Sequence, residues 1–236
     1  MEKLRRPGVR RLGLAAAGAV AVTALVAAVG VGRADSGVRY DSRPEALAFG
    51  KEVYHFDTVG QMTATSHLVV LGTVSSAVPG RLGSVDEDPA AVGGDIRLRA
   101  VTIDVSDVLH NPKNLIIPAR ITLEEEGWDE EGRGYVSNNV AWSEVGDTGY
   151  FFLRRSGGVS DPYTYQLASS DGRALVVDGA LRPSNADNDL ATSITTMGPT
   201  FLNNTVVAAS GQVAAGTLTE SMPTAELPQP PEGDGE

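Results

Sequence analysis

Apolar positions along the chain centre on Ser66-His67-Leu68-Val69-Val70-Leu71-Gly72-Thr73-Val74-Ser75-Ser76, an unbroken β-forming run with a glycine at its middle. A short apolar run bounded by turn signals predicts a strand buried on both faces or one that wraps around a small barrel. Pro79-Gly80 ends it in this reading, and Gly72 marks where it bends. Upstream, Thr58 stands three residues before Gln61, the spacing of a capping box, and predicts a short helix leading into the strand. Glu45-Ala46-Leu47 permits another helical turn.

Downstream the pattern predicts more strands. From Asp95 to Leu109 the apolar positions are Ile96, Leu98 and Ala100, then Val101, Ile103 and Val105, a change of phase that predicts a β-bulge. Long, bent strands belong to small closed barrels and to sandwich corners. His110 to Asn114 reads as a turn and Leu115 to Leu123 as a third strand, with Pro118 placing it at an edge or bulge. Glu124 to Ser143 reads as a long loop, and Gly149 to Arg154 as a fourth strand. Tyr163 to Leu167 and Arg173 to Val177 flank Asp171-Gly172, the signature of a hairpin. Asp189 to Met197 predicts a helix broken at Gly198-Pro199. Residues 211–236 gain proline and acid and lose large apolar side chains, which predicts disorder. A barrel built from these strands is expected to place Val69, Ile103 and Phe152 in one core, and strands that do not bring them together speak against the barrel.

Charge divides the chain. Six of its 19 Lys and Arg precede Asp35 with one acid, leaving 13 bases against 29 acids in residues 35–236. An acidic body disfavours nucleic acid, whose phosphates need a basic face. Met1 to Arg11 carries five positive charges and Leu12 to Gly32 none of either sign, the two regions of an export address. Residues 1–34 are therefore expected to be a signal peptide cleaved after Ala34 or an uncleaved membrane anchor, with the remainder outside the cytoplasm. Membrane contact is expected through that segment alone. With no cysteine, a disulfide framework, a thiolate metal site and a cysteine nucleophile are all excluded.

The helix running into Ser66–Val74, then Val101-Thr102-Ile103-Asp104-Val105-Ser106-Asp107-Val108-Leu109, Val145-Gly146-Asp147-Thr148-Gly149-Tyr150-Phe151-Phe152-Leu153 and Tyr165-Gln166-Leu167 with Gly172, follow one another in a familiar order. Over roughly residues 58–178 this order resembles exported bacterial, actinobacterial-type domains with an OB-like barrel, and more distantly the netrin/tissue-inhibitor type of OB-fold. The resemblance implies a mainly β fold: a five- or six-stranded OB-like barrel with short flanking helices, an N-terminal signal or anchor helix and a disordered C-terminal tail. The corresponding boundaries are 1–34 for the address, 35–57 for a linker with a short helix, 58–182 for the barrel, 183–210 for a helical segment and 211–236 for the tail. The tissue-inhibitor cysteines are missing, so protease inhibition is not implied. OB-type barrels bind oligonucleotides or oligosaccharides through one face and its loops.

The 124–143 loop is the leading candidate site, because loops this long in compact domains are functional or disordered. In it, Trp128 and Tyr135 are expected to offer flat faces to a ligand, with Asp129, Glu130, Glu131, Asn138 and Asn139 hydrogen-bonding around them. No metal is expected: Asn185, Asp187 and Asp189 have calcium-loop spacing, but Leu190 and Thr196 stand where glycine and glutamate are required. His55, His67 and His110 are too scattered for zinc. No nucleophile elbow, phosphate loop or dinucleotide motif occurs, so no catalytic residue and no cofactor is expected. The expected function is a non-catalytic binding module of the cell envelope whose partner is a protein or glycan. A hydrolase of envelope polymers and a purely structural component are the alternatives.

Overall fold

A computed structural model of the chain describes residues 38–48, 52–84, 95–157, 159–185 and 188–223. The export address with Ala34, the acidic stretch Asp86-Glu87-Asp88 and residues 224–236 of the tail lie outside these. The elements are β1 (Ala46–Ala48), α1 (Val59–Thr65), β2 (Leu68–Ser84), β3 (Asp95–His110), β4 (Arg120–Trp128), β5 (Tyr135–Ser137), β6 (Thr148–Arg155), β7 (Thr164–Leu167), β8 (Arg173–Val177), β9 (Ala180–Pro183), α2 (Asp189–Thr196) and α3 (Pro199–Ala214). The fold is mainly β, as expected.

Five strands close into a ring in the order β2-β3-β4-β7-β6 and back to β2. Every neighbouring pair is antiparallel except β4 and β7, which are parallel. Neighbouring residues on a strand point to opposite faces, and β2 is buried on both, as its unbroken apolar run predicts. Leu68, Val70 and Val74 turn into the ring with Ile103, Leu123, Phe151 and Leu153. Val69 and Phe152 turn outward, against Met62, Ile194, Leu202 and Val206 of the three helices. The common core of Val69, Ile103 and Phe152, to which the barrel expectation was tied, is not formed: the strand wall divides the apolar residues into an inner and an outer layer, because neighbouring residues such as Val69 and Val70 face opposite sides of it. What the strands form is a closed ring between two apolar layers. At Gly72 the register with β3 shifts, and a Cβ there would stand 2.6 Å from the Cγ2 of Ile103. Only glycine allows the two strands to approach so closely.

Four strand predictions are corrected. β2 does not end at Pro79-Gly80. Beyond Thr73 it has a partner on one side only, and its register shifts between Pro79 and Leu82, an edge and bulge setting that tolerates proline. The phase change expected in β3 is absent, for Arg99, Val101 and Ile103 alternate inward and Arg99 is a buried charge. The strand is bulged as expected but elsewhere: its register against β2 shifts at Ser106 and at Leu109, and against β4 where Arg97 and Arg99 face Trp128 and Glu125. β4 begins at Arg120 rather than Leu115 and continues through Glu124–Trp128, which the sequence places in a loop. Finally, β7 and β8 form no hairpin. The Ala168 amide donates to the Phe152 carbonyl and the Phe152 amide donates to the Gly172 carbonyl. The chain leaves β6 and re-enters beside the same residue, so β7 and β8 continue one another along one edge of β6.

The helix α1 starts as predicted: the Gln61 amide donates to Thr58 Oγ1 at 3.1 Å, and Gln61 Oε1 accepts from the Thr58 amide at 3.2 Å. The turn permitted at Glu45-Ala46-Leu47 is instead β1, which pairs in parallel with β5. α2 ends before Gly198-Pro199 as expected. α3 runs to Ala214, and the Ser221 amide donates to Thr65 Oγ1 at 2.8 Å, so the expected disorder does not begin at residue 211. No helix among the described residues is long and apolar enough to cross a membrane.

Candidate functional site

The segment after β4 is organised by aromatic packing. Trp128 is only 6% exposed, donates from Nε1 to the Asp41 carbonyl at 2.8 Å, and packs against Tyr40 and edge-on against Trp142 at centroid distances of 5.1 and 5.2 Å. The Arg99 guanidinium lies 4.4 Å over the Trp142 ring, and Trp142 Nε1 donates to the Tyr135 carbonyl. Trp128 therefore presents no free face. It clamps the N-terminal arm to the ring and, through Trp142, fixes the path of residues 135–142.

The other predicted residues fall into separate groups. Asp129, Glu131 and Arg133 form a self-contained turn: Arg133 Nε donates to Asp129 Oδ2 at 2.8 Å and Nη2 to Glu131 Oε2 at 3.1 Å. A little burial opposes it, but hydrogen bonds from the Arg133 backbone and side chain hold the Asp129 carboxyl below its ordinary range. Glu130 is exposed on the same turn. Tyr135 lies in β5, where burial, then the charges of Glu126 and Asp129, push its phenol upward. Asn138 and Asn139 both take left-handed conformations, φ 51° and 61°, in a two-residue turn closed by the Val140 amide donating to the Ser137 carbonyl. Asparagine tolerates that region better than other non-glycine residues.

Of the seven predicted residues, Asn138 alone lines the cavity, about 750 Å³ in volume, that the segment helps enclose. Its floor is the face of β3 and β4 turned away from the ring interior: Ile96 and Leu98 from one strand, Glu124 and Glu126 from the other. Gln166 of β7, Arg81 of β2, Ser137, Val140 and Trp142, and Glu52 with Ser169 and Ser170 complete the wall. Arg81 Nε and Nη2 grip both oxygens of Glu124 at 2.8 and 3.0 Å, and the Ser156 hydroxyl donates to the same carboxylate. Glu52 accepts from the Ser170 amide at 2.9 Å. Glu126 is exposed as a residue, yet burial of its carboxyl pushes its proton affinity up, against a hydrogen bond with the Ser137 side chain.

A cluster that the pattern of the sequence conceals reaches the cavity through Glu125 and Ala141 and extends behind it. Glu125 accepts from Arg99 Nη1 at 2.7 Å and from Arg173 Nη1 at 3.1 Å. The Ser143 amide and hydroxyl also donate to it, while Arg173 Nη2 donates to the Ala141 carbonyl at 2.6 Å and Arg99 Nη2 to the Ser143 carbonyl at 3.0 Å. The charges are thus nearly sealed, Arg173 being 2% exposed. They tie the cavity-lining segment 141–143 to three strands. The one trace in the sequence is a charge at the core-facing position of an otherwise apolar alternation, Arg99 beside Val101 and Ile103.

Carboxylates, amide oxygens and hydroxyls over an aliphatic floor suit a ligand that presents hydrogen-bond donors. Among the described residues no group of three or more His, Asp or Glu side chains is placed to hold a metal ion. The chain matches no known protein family, and no curated protein matches it in sequence.

Proposed function

We propose that the chain is a non-catalytic binding module of the bacterial cell envelope, working outside the cytoplasmic membrane through the cavity on the β3–β4 face. The observation that carries the reading is the position of that cavity. Counting the collinear β7 and β8 as one, the ring strands run first, second, third, fifth, fourth and back to the first, with the parallel pair between third and fifth. This is the order of an OB-like barrel, and OB barrels take ligands on the face of their second and third strands, here β3 and β4. About 750 Å³ is also an ordinary size for a ligand site. The partner is a protein or glycan segment bearing hydroxyl or amine donors. The acidic body speaks against nucleic acid. The basic then apolar N-terminus carries the chain across the membrane and leaves it anchored there, or released after Ala34.

The test is in-cell crosslinking from the native envelope, followed by identification of the captured protein or glycan. The intact chain is compared with Leu98→Arg and Gln166→Trp, which fill the cavity from its floor and its wall, after thermal melts confirm that both variants fold. Capture of a species by the intact chain and its loss from both variants supports the reading. Equal capture by all three, or by none, overturns it.

A further inference from the structure

His110, the last residue of β3, is 1% exposed. It pairs across the ladder with Val69 of β2, and its Nδ1 lies 2.9 Å from the Ser210 hydroxyl of α3. Nε2 has no hydrogen-bond partner of good geometry, although the backbone of Ser66, at the end of α1, is near enough to favour its proton. The imidazole therefore joins β3, the end of α1 and α3. α3 is otherwise held by apolar burial of Leu202, Val206 and Ala209 and by the Tyr150 hydroxyl donating to the Pro199 carbonyl at 2.9 Å. Its sequence carries no charge, and no side chain caps its start.

Among the described residues no carboxylate lies beside His110 to compensate a positive charge, and the Ser66 backbone alone favours one. α1 and α3 contain no titratable residue, and β2 has none from Leu68 to Gly80. The nearest acid of β3, Asp107, is exposed and accepts from the Val108 amide. Lys113 of the following turn and Glu220 beyond α3 act on His67, not on His110. Burial consequently lowers the proton affinity of His110 below that of an ordinary histidine.

We infer that His110 is an acid-sensitive latch: its neutral imidazole keeps α3 seated on the ring, and acidification lifts α3 away while the ring of strands stays closed. A proton from solvent is accommodated only when water reaches the ring nitrogen, and displacement of α3 admits that water. The direction follows from linkage. The seated state binds the proton more weakly than the released one, so seating is fully stable above about pH 6.5 and weakens as pH falls below it, until the lowered value of the seated state is passed. His67, also lowered by burial, accepts from the Arg155 amide at the β2–β6 border, and Glu220 favours its charged form. The charges of Arg154, Lys113 and Arg155 oppose its protonation, so its titration acts at the β2–β6 border rather than on the face that carries α3, and α3 is the reporter of the latch.

Hydrogen exchange of the full chain at pH 7.5 and 5.0, corrected for intrinsic rates, tests this. The expected result is a several-fold increase in the opening of residues 199–214 at the lower pH, with β3 unchanged. In His110→Gln the increase is expected to vanish. Equal opening of α3 at both pH values, or the same increase in His110→Gln, overturns the inference. Should that variant fail to fold, the ring resonances of His110 in the intact chain decide. Titration below the ordinary histidine value in step with the α3 amides supports the latch, and titration at or above that value, or with α3 unmoved, overturns it.

Discussion

Glu125 is the residue on which the site depends. It sits between two buried guanidiniums with hydrogen bonds from Ser143, so removing its charge leaves Arg99 and Arg173 facing one another away from water. Breaking a buried ion pair by removing one partner costs about 3–5 kcal/mol. Glu125→Gln is expected to lower unfolding stability by that amount in urea titrations. The exposed pair Asp104–Arg120, whose side chains are 46% and 74% exposed, provides the contrast. Asp104→Asn is expected to change stability by no more than about 1 kcal/mol. A Glu125→Gln loss as small as that of Asp104→Asn would show that the cluster is dispensable. Its residues were hard to find in the sequence for a physical reason. A charge at a core-facing position resembles a break in the apolar alternation, and its compensation comes from Glu125, 26 positions away from Arg99 in the chain, a carboxylate that it shares with Arg173, 74 positions away. The Thr58–Gln61 capping box, by contrast, is a contact between near neighbours and was legible in full.

Among the elements, α2 shows how a buried carboxylate is used without a cation. Asn188 caps the helix, its Oδ1 accepting from the Ala191 amide at 2.8 Å, while its Nδ2 donates to both oxygens of Asp171 at 3.0 and 2.8 Å. Burial pushes the Asp171 carboxyl up, Asn188 opposes the shift, and the charge of Glu52 adds to it. A carboxyl whose folded value is raised contributes most below its unfolded value near pH 4, and the contribution is lost as pH rises through the folded value. Asp171→Asn is therefore expected to be neutral or stabilising at pH 7 and to flatten the pH dependence of the melt above about pH 4. Asn188→Ala removes the cap and leaves the carboxylate without its donor. It is expected to cost about 2 kcal/mol, more than the roughly 1 kcal/mol of an ordinary cap. If the two substitutions destabilise equally at pH 7, the carboxylate is not under strain. At this scale strand boundaries were the least legible feature. Glu124-Glu125-Glu126 has loop composition, and only the ion pairs with Arg81, Arg99 and Arg173 allow it to be a strand. That assignment takes Trp128 from an imagined loop into a packed clamp and moves the site to the neighbouring face of β3 and β4.

For the whole molecule, the ring alone does not bury the apolar surface of its strands. The outward side chains of β2 and β6, Val69 and Phe152 among them, need the helices as a second layer. The apolar run of β2 allowed burial on both faces, but the expectation of one core for Val69, Ile103 and Phe152 took no account of a second layer, and α3 did not announce its own role because its sequence carries no charge to mark a solvent-facing side. Its length follows from what it covers: Leu202, Val206 and Ala209 are buried along one side of it, and Ser221 reaches Thr65 beyond its end. A chain ended after Pro223 keeps every one of these contacts, and its melting temperature is expected to match that of the full chain within about 2 °C, the shift of a fraction of a kcal/mol. A chain ended after Gly198 loses two fully buried aliphatic side chains worth about 1.5–3 kcal/mol each. It also loses the acceptor of the Tyr150 hydroxyl and leaves the outer apolar layer open to water. Such a surface associates with itself, so the shorter chain is expected to melt at a lower temperature and to elute from gel filtration as oligomers. Monomeric behaviour with an unchanged melt would mean that the ring carries its fold without the outer layer, and that the double-sided burial of β2 is not required for stability.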